Sequence, residues 1–376
     1  MILPLQRNVG LSDRVAFVFS LLGVKLPYWY DYWGAMAQLF EVELRMFQEA
    51  GTAEAAIKDV GVTFNNLGVA YGYLSNFEKA HGCFKEALRV YQALELPEGE
   101  AVVHTNLGIM GDHVGNFYDA MGHLRYALKI FRSLRGPMEG VVLNSLGVLF
   151  KNLGEYRKAV AYYEGARRIF SQQTFPYEVV WLCLNIAIVT CDLGDYDTSL
   201  NYFETALELS QDLNLPIEEA IISCNFVELY LAQGKLDKAE ALLEKHPDKL
   251  MLGKYYLVTK EYEQAILYLL SALETVNETR DAVSLEGCLI GLSLCNEGMG
   301  EWEKACLCFE EAVNAIEGKR QHILPHKWGL YLKGKVLGLP RLEAYRGLIR
   351  VLHHVGKEKD ALAWKQYVDA IDCWRH

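Results

Sequence analysis

Leu67-Gly-Val-Ala-Tyr-Gly-Tyr-Leu-Ser-Asn-Phe-Glu-Lys-Ala-His-Gly-Cys-Phe-Lys-Glu-Ala87 is the stretch on which the fold turns. A small residue follows a leucine at Gly68 and an aromatic stands at Tyr71. Beyond a polar corner at Ser75 and Asn76, the residues Ala80, Phe84 and Ala87 recur at intervals of four and three, which places them on one helical face. The stretch reads as two helices joined by a tight corner. The same corner is written again as Val114-Gly-Asn-Phe-Tyr-Asp-Ala120, Leu153-Gly-Glu-Tyr-Arg-Lys-Ala159, Leu193-Gly-Asp-Tyr-Asp-Thr-Ser199 and Gln233-Gly-Lys-Leu-Asp-Lys-Ala239. From Ala80 onward the final residues of these copies lie 40, 39, 40 and 40 apart. Weaker copies end at Ala265, Ala305 and Ala361, at intervals of 26, 40 and 56.

Each corner has a physical reading. Glycine ends the first helix in a left-handed residue, and an acidic or amide residue caps the next. An aromatic packs beneath the turn. About twelve residues before each corner alanine stands Leu-Gly or an equivalent (Leu67-Gly68, Leu107-Gly108, Leu146-Gly147, Ile186-Ala187, Leu252-Gly253), a small residue that lets a neighbouring helix come close. The last two copies have Leu292-Ser293 and Leu348-Ile349 instead. The short interval to Ala265 predicts a shortened first helix over about 247–258, and the long one to Ala361 an insertion after Ile316.

The pattern Leu67-Gly68-x-x-Tyr71, Ala80, Phe84, Ala87, Pro97 resembles the tetratricopeptide repeat over roughly residues 53–373. The period of about 40 resembles the long repeats of cell-polarity scaffolds, kinesin light chains and bacterial peptide-pheromone receptors. The resemblance implies an all-α, right-handed α-solenoid of stacked antiparallel helix pairs. The division expected is a helical cap over 1–52, an array of about seven helix pairs over 53–317, and a basic insert with a capped C-terminal pair over 318–376.

Within this resemblance a ladder of amides acquires a function. One residue before each Leu-Gly position stand Asn66, Asn106, Ser145 with Asn144 beside it, Asn185 and Asn225. In the family this position faces a concave groove, where a carboxamide can both donate to and accept from the backbone of an extended peptide. Seven residues further on, on nearly the same face, come Tyr73, His113, Asn152, Asp192 and Ala232, whose chemistry varies as sequence-selective reading would need. A structural reading competes: asparagine inside a helical repeat can bond to a neighbouring helix, and exposed positions drift. The resemblance implies a non-enzymatic interaction module that takes an extended peptide segment of a partner protein, as adaptor or scaffold. The alternative is a peptide-responsive regulatory receptor of the pheromone-receptor type.

The insert Gly318–Pro340 carries five Lys or Arg and no acid, in a chain whose net charge is −11. It reads either as a solvated link or as a secondary docking site for an acidic segment through Lys319, Arg320, Lys327, Trp328 and Lys333. Nucleic acid fits poorly, because the acidic balance supplies no general basic field. No P-loop, G-x-S-x-G, H-E-x-x-H or dinucleotide fingerprint is present, and neither an enzyme nor a cofactor is expected. His322 and His326 have helix-face spacing, but Pro325 breaks the helix that would align them for a metal. Cys306 and Cys308 point apart on one helix, and His353-His354 reads as a surface feature. Nine scattered cysteines without a C-x-x-C pair suit reduced thiols in the cytoplasm. The longest apolar run, Val15–Val24, is half the roughly 20 residues of a membrane-crossing helix, and its flanks do not suit a signal sequence.

Overall fold

The computed structural model describes residues 29–50, 57–173, 175–279, 282–318, 320, 328, 331–332, 334–336 and 339–373. Residues 1–28, His322, His326, Lys319, Lys327 and Lys333, for which the sequence carried expectations, lie outside that set. The described chain is all-α apart from one two-stranded hairpin, and its consecutive helices pack as pairs. It falls into two compact units. One holds the residues up to Val114 with Asp119–Arg135, and the other holds Gly115–Tyr118 with the residues from Gly136 onward.

The first unit contains α1 (Trp29–Ala50), α2 (Ile57–Tyr73), α3 (Phe77–Ala93), α4 (Pro97–His113) and most of α5 (Phe117–Leu134). Leu67, Ala70, Tyr71, Ala80, Phe84, Ala87 and Tyr91 form its buried seam, to which α1 adds Trp33, Met36, Ala37 and Phe40. Helix α1 also makes polar contacts: the Tyr71 and Thr63 hydroxyls donate to Glu41 and Glu43. Between α4 and α5, His104 and His123 meet Nδ1 to Nδ1 at 2.8 Å, so one ring donates and the other accepts. Half-burial and the neighbouring His123 push the His104 imidazole down from 6.5 to about 4.

The second unit pairs α6 (Pro137–Asn152) with α7 (Tyr156–Gln172), α8 (Pro176–Leu193) with α9 (Tyr196–Asp212), and α10 (Pro216–Ala232) with α11 (Leu236–Lys245). Next come α12 (Lys249–Thr259) with α13 (Tyr262–Thr279), then α14 (Ala282–Gly298) with α15 (Trp302–Glu317). The hairpin of β1 (Lys335–Val336) and β2 (Leu339–Pro340) leads into α16 (Leu342–His354) and α17 (Glu358–Cys373). We call the first helix of each pair helix A and the second helix B. The short interval before Ala265 is shared between two elements: α12 has 11 residues, as the shortened first helix required, and the preceding α11 has only 10.

The left-handed residue of each corner stands where the sequence puts it, whereas the expected side-chain cap forms at Asn76 and Asp195 but not at Glu155 or Glu301. Gly115, Gly154, Gly194, Gly234, Gly300 and Gly356 all have φ between 70 and 81°, and Ser75 and Lys260 hold the same left-handed place at 56 and 64°. At Gly194 the amide of Asp195 reaches back to the Thr190 carbonyl at 3.0 Å, and the Asp195 carboxylate then caps Thr198 at 3.3 Å. Proline opens α4, α6, α8 and α10 at the first helical turn, where its missing N–H costs nothing. Helix α8 is apolar and long enough to cross a membrane, the one such helix among the described residues. It is packed between α7 and α9, with Val180, Leu184, Ala187 and Cys191 in the core.

Within each pair the small residue of Leu-Gly meets a large one on helix B. A Cβ at Gly147 would stand 2.4 Å from the Tyr163 ring, closer than carbon atoms approach. Gly347, one residue before Leu348, does the same against Phe309 on α15, so the last described A helix keeps a close approach although it lacks Leu-Gly.

Two measurements check this account. In denaturant unfolding, Gly147→Ala should lose about 1–3 kcal/mol by overpacking and Gly194→Val about 1–2 kcal/mol by left-handed strain; unchanged midpoints would mean that neither contact is tight. The second concerns His104. Because its folded value is depressed, the unfolded chain takes up the proton first, so this group's contribution is complete above pH 6.5 and is lost as pH falls towards about 4. Thermal melts across that window should fall more steeply for the native chain than for His104→Gln.

Candidate peptide-binding site

The amide ladder lies on the A helices, and the structure shows what each member touches. In the first unit the Asn106 carboxamide donates to the Asn65 side chain of the neighbouring A helix at 2.9 Å, and Asn65 leans on Asn66 at 3.4 Å. Asn65 is 2% exposed and Asn106 7%, so this pair is part of the helix–helix interface. In the second unit Asn185 donates in the same way to Asn144 at 3.3 Å, but both amides are half-buried. An asparagine that spends one N–H on its neighbour retains a second N–H and carbonyl capacity. Ser145 turns back to the Val141 carbonyl, and Asn225 donates to the Ile221 carbonyl of its own helix at 2.8 Å.

The second row is less uniform. Tyr73 stacks on Trp33 of α1, with ring centroids 4.1 Å apart and planes 14° from parallel, so a face expected to read a ligand is covered by the chain's own helix. His113 is exposed at the end of α4, and Asn152 is half-buried at the end of α6. Asp192, near the end of α8, is met by Lys335, whose Nζ lies 3.1 Å from the Asp192 carbonyl and 3.7 Å from its carboxylate. Burial and the nearby Glu228 carboxylate push the Asp192 carboxyl up to about 6, against the pull of Lys335. Glu228 itself pairs with Lys254 at 2.6 Å.

The secondary docking residues also change character. Trp328, expected as part of a docking site, is buried and donates from its indole N–H to the Tyr367 hydroxyl at 2.9 Å. Arg320 pairs with Glu317 and lies over the Tyr367 ring. The insert is therefore packed against the C-terminal pair at these two residues, because an indole and a guanidinium can both serve the aromatic surface of α17. Sequence reasoning overlooked Asn65, Lys335 and Tyr156. The doublet Asn65-Asn66 was a signal for the first, whereas nothing local marks the other two.

Among the described residues no group of three or more His, Cys, Asp or Glu is placed to hold a metal ion. Burial pushes the thiols of Cys191 and Cys295 up to about 12, which keeps them as neutral core groups.

Models of the tetratricopeptide repeat match residues 60–96, 141–169 and 178–246. The chain carries tetratricopeptide repeats over these residues. A further model, of anaphase-promoting complex subunit 5, matches residues 254–330, which take in α13, α14 and α15. No curated protein matches this tetratricopeptide repeat chain. Among solved structures, a Rap protein complexed with competence and sporulation factor is 18% identical, covers 70% of this chain and 76% of its own, and superposes with a TM-score of 0.57. Aspartyl phosphate phosphatase F from Bacillus subtilis is 16% identical over 74% of each chain, with a TM-score of 0.55. The Rap conjugation gene regulator of plasmid pLS20, solved with the Phr* peptide, is 13% identical over 92% of this chain and 98% of its own, with a TM-score of 0.53. Identities this low carry the fold.

The ladder geometry separates its members by stability. Asn106→Ala strands the buried Asn65 carbonyl and should cost about 1–3 kcal/mol, whereas Asn225→Ala, which removes only a bond to its own helix, should stay within about 0.5 kcal/mol. Equal losses in urea unfolding would contradict the difference in burial.

Proposed function

We propose that this tetratricopeptide repeat protein is a non-enzymatic module of the cytoplasm that binds an extended peptide segment of a protein partner along its A-helix face. The observation that carries the reading is the half-buried pair Asn144 and Asn185, on adjacent A helices and joined by one amide bond, which retains donor and acceptor capacity for a peptide backbone. Around it stand Ser145, Asn152, Asp192 and Asn225. In the first unit Asn66, Asn106, Tyr73 and His113 form the corresponding rows, with Asn106 and Tyr73 already engaged in packing.

The second reading is a peptide-responsive regulator, favoured by the peptide complex of the pLS20 Rap regulator among the structures of like fold. Small-angle scattering with and without a bound peptide separates the two, since only a responsive receptor must change its dimensions on binding.

The test uses a displayed library of random 12-residue peptides panned on the full chain. Selected peptides should bind Asn185→Ala and Asn144→Ala more weakly by about 0.5–1.5 kcal/mol each, the net value of a hydrogen bond exchanged against water. Peptides that bind both variants undiminished would move the site off the ladder.

A further inference from the structure

Tyr331, Gly334, Lys335 and Arg341 make contacts that the repeat pattern does not require. At their base, Arg341 and Glu286 form an ion pair at 2.6 Å with side chains 2% and 0% exposed. The Tyr331 hydroxyl donates to the same Glu286 at 3.1 Å, and the Arg341 guanidinium lies 4.3 Å over the Tyr331 ring. The Arg341 amide closes the loop onto the Gly334 carbonyl at 3.1 Å. From this base the chain projects Gly334 and Lys335 onto the A/B corners of the second unit. The Lys335 amide donates to the Tyr156 hydroxyl at 2.7 Å, and its ammonium donates to the Asp192 carbonyl beside the Asp192 carboxylate. A Cβ at Gly334 would lie 3.5 Å from the Cα of Gly154, so the backbones pass closely there. The Tyr331 ring sits 5.8 Å from Phe117, at the corner before.

This is the way an incoming peptide would be held: an extended backbone gives its N–H to a side-chain hydroxyl while a cationic side chain meets an acid in the second row. The charges match, because the insert has five Lys or Arg and no acid, whereas the row it meets offers Asp192 with Glu228 nearby. The tip and the base are held unequally. The Lys335 side chain is 30% exposed, and its contact with Asp192 is screened and weak, whereas the Arg341–Glu286 pair is buried, so the tip can lift while the base stays.

We infer that Gly334 and Lys335 are a built-in occupant of the peptide row at Tyr156 and Asp192, which a ligand presenting Lys or Arg must displace in order to bind there. The inference rests on the reading of the A-helix face as a peptide site. It adds the class of residue read at Asp192 and a threshold for binding: a ligand gains only the difference between its own contacts and those of Lys335.

The experiment uses the full chain as wild type, Lys335→Glu and the charge-swapped double variant Lys335→Glu/Asp192→Lys. The probe is a fluorescein-labelled synthetic peptide with the sequence of residues 330–341. Hydrogen exchange at residue 335 reports whether the tip is seated. In Lys335→Glu the amide should exchange faster and the probe should bind about two- to fivefold more tightly than to wild type. The charge-swapped variant should return to slow exchange and weak probe binding. Unchanged exchange in Lys335→Glu overturns the inference, since the tip is then not held by Asp192. Faster exchange with no gain in probe binding overturns it as well, since an emptied row must accept the peptide. If the inference falls in either way while library-selected peptides still bind in an Asn185-dependent manner, the occupant is refuted and the peptide site stands. If no selected peptide depends on Asn185, the site itself falls.

Discussion

The close approach of helix A and helix B, made possible by a small residue facing a large one, is the constraint from which the other features follow. Gly147 under Tyr163 and Gly68 under Phe84 bring two backbones to a separation at which Ala159 and Ala166, or Ala80 and Ala87, are fully buried as well. Once the pair is this tight, the corner joining its helices has no slack. The left-handed glycine is the shortest way to reverse the chain, and after Gly194 the Asp195 carboxylate also satisfies a freed amide. Within each unit, neighbouring pairs meet through their A helices, at an offset of about 40 residues wherever the period is kept. A side chain at one position therefore finds its counterpart in the next repeat, as Asn106 finds Asn65 and Asn185 finds Asn144.

That repetition serves two purposes with one residue type. Where burial is complete, as at Asn65 and Asn106, the amide pair is a polar rivet between helices, and leaving either partner alone would strand a buried group. Where burial is partial, as at Asn144 and Asn185, the same bond orients a carboxamide and leaves hydrogen-bonding capacity directed outward. The two readings of the ladder divide by position along the array, and the degree of exposure decides which applies.

The acidic second row shows a comparable economy. Burial and Glu228 raise the Asp192 carboxyl to about 6, and Lys335, brought from 143 residues away, opposes that rise. The insert that interrupts the last interval is thereby a structural element with two ends of unequal strength: a buried ion pair at Glu286 and a lighter polar contact at Tyr156 and Asp192. A partly exposed ion pair is an economical latch, because its net value is small and another cation can replace it.

The helix pairs, their corners and their period were legible in the chain alone, since they rest on local chemistry: glycine at positive φ, side-chain caps, proline at the first turn, and apolar residues three and four apart. So was the ladder as a periodic feature at Asn66, Asn106, Asn185 and Asn225. Tertiary structure alone decided which ladder amides are buried, that Tyr73 is covered by Trp33, that Trp328 and Arg320 serve α17, and that Lys335 reaches Asp192. The physical reason is range. A corner is settled by residues within one or two turns of each other, whereas the exposure of an amide or the partner of a lysine depends on which distant segment packs over it, and no spacing in the sequence encodes that.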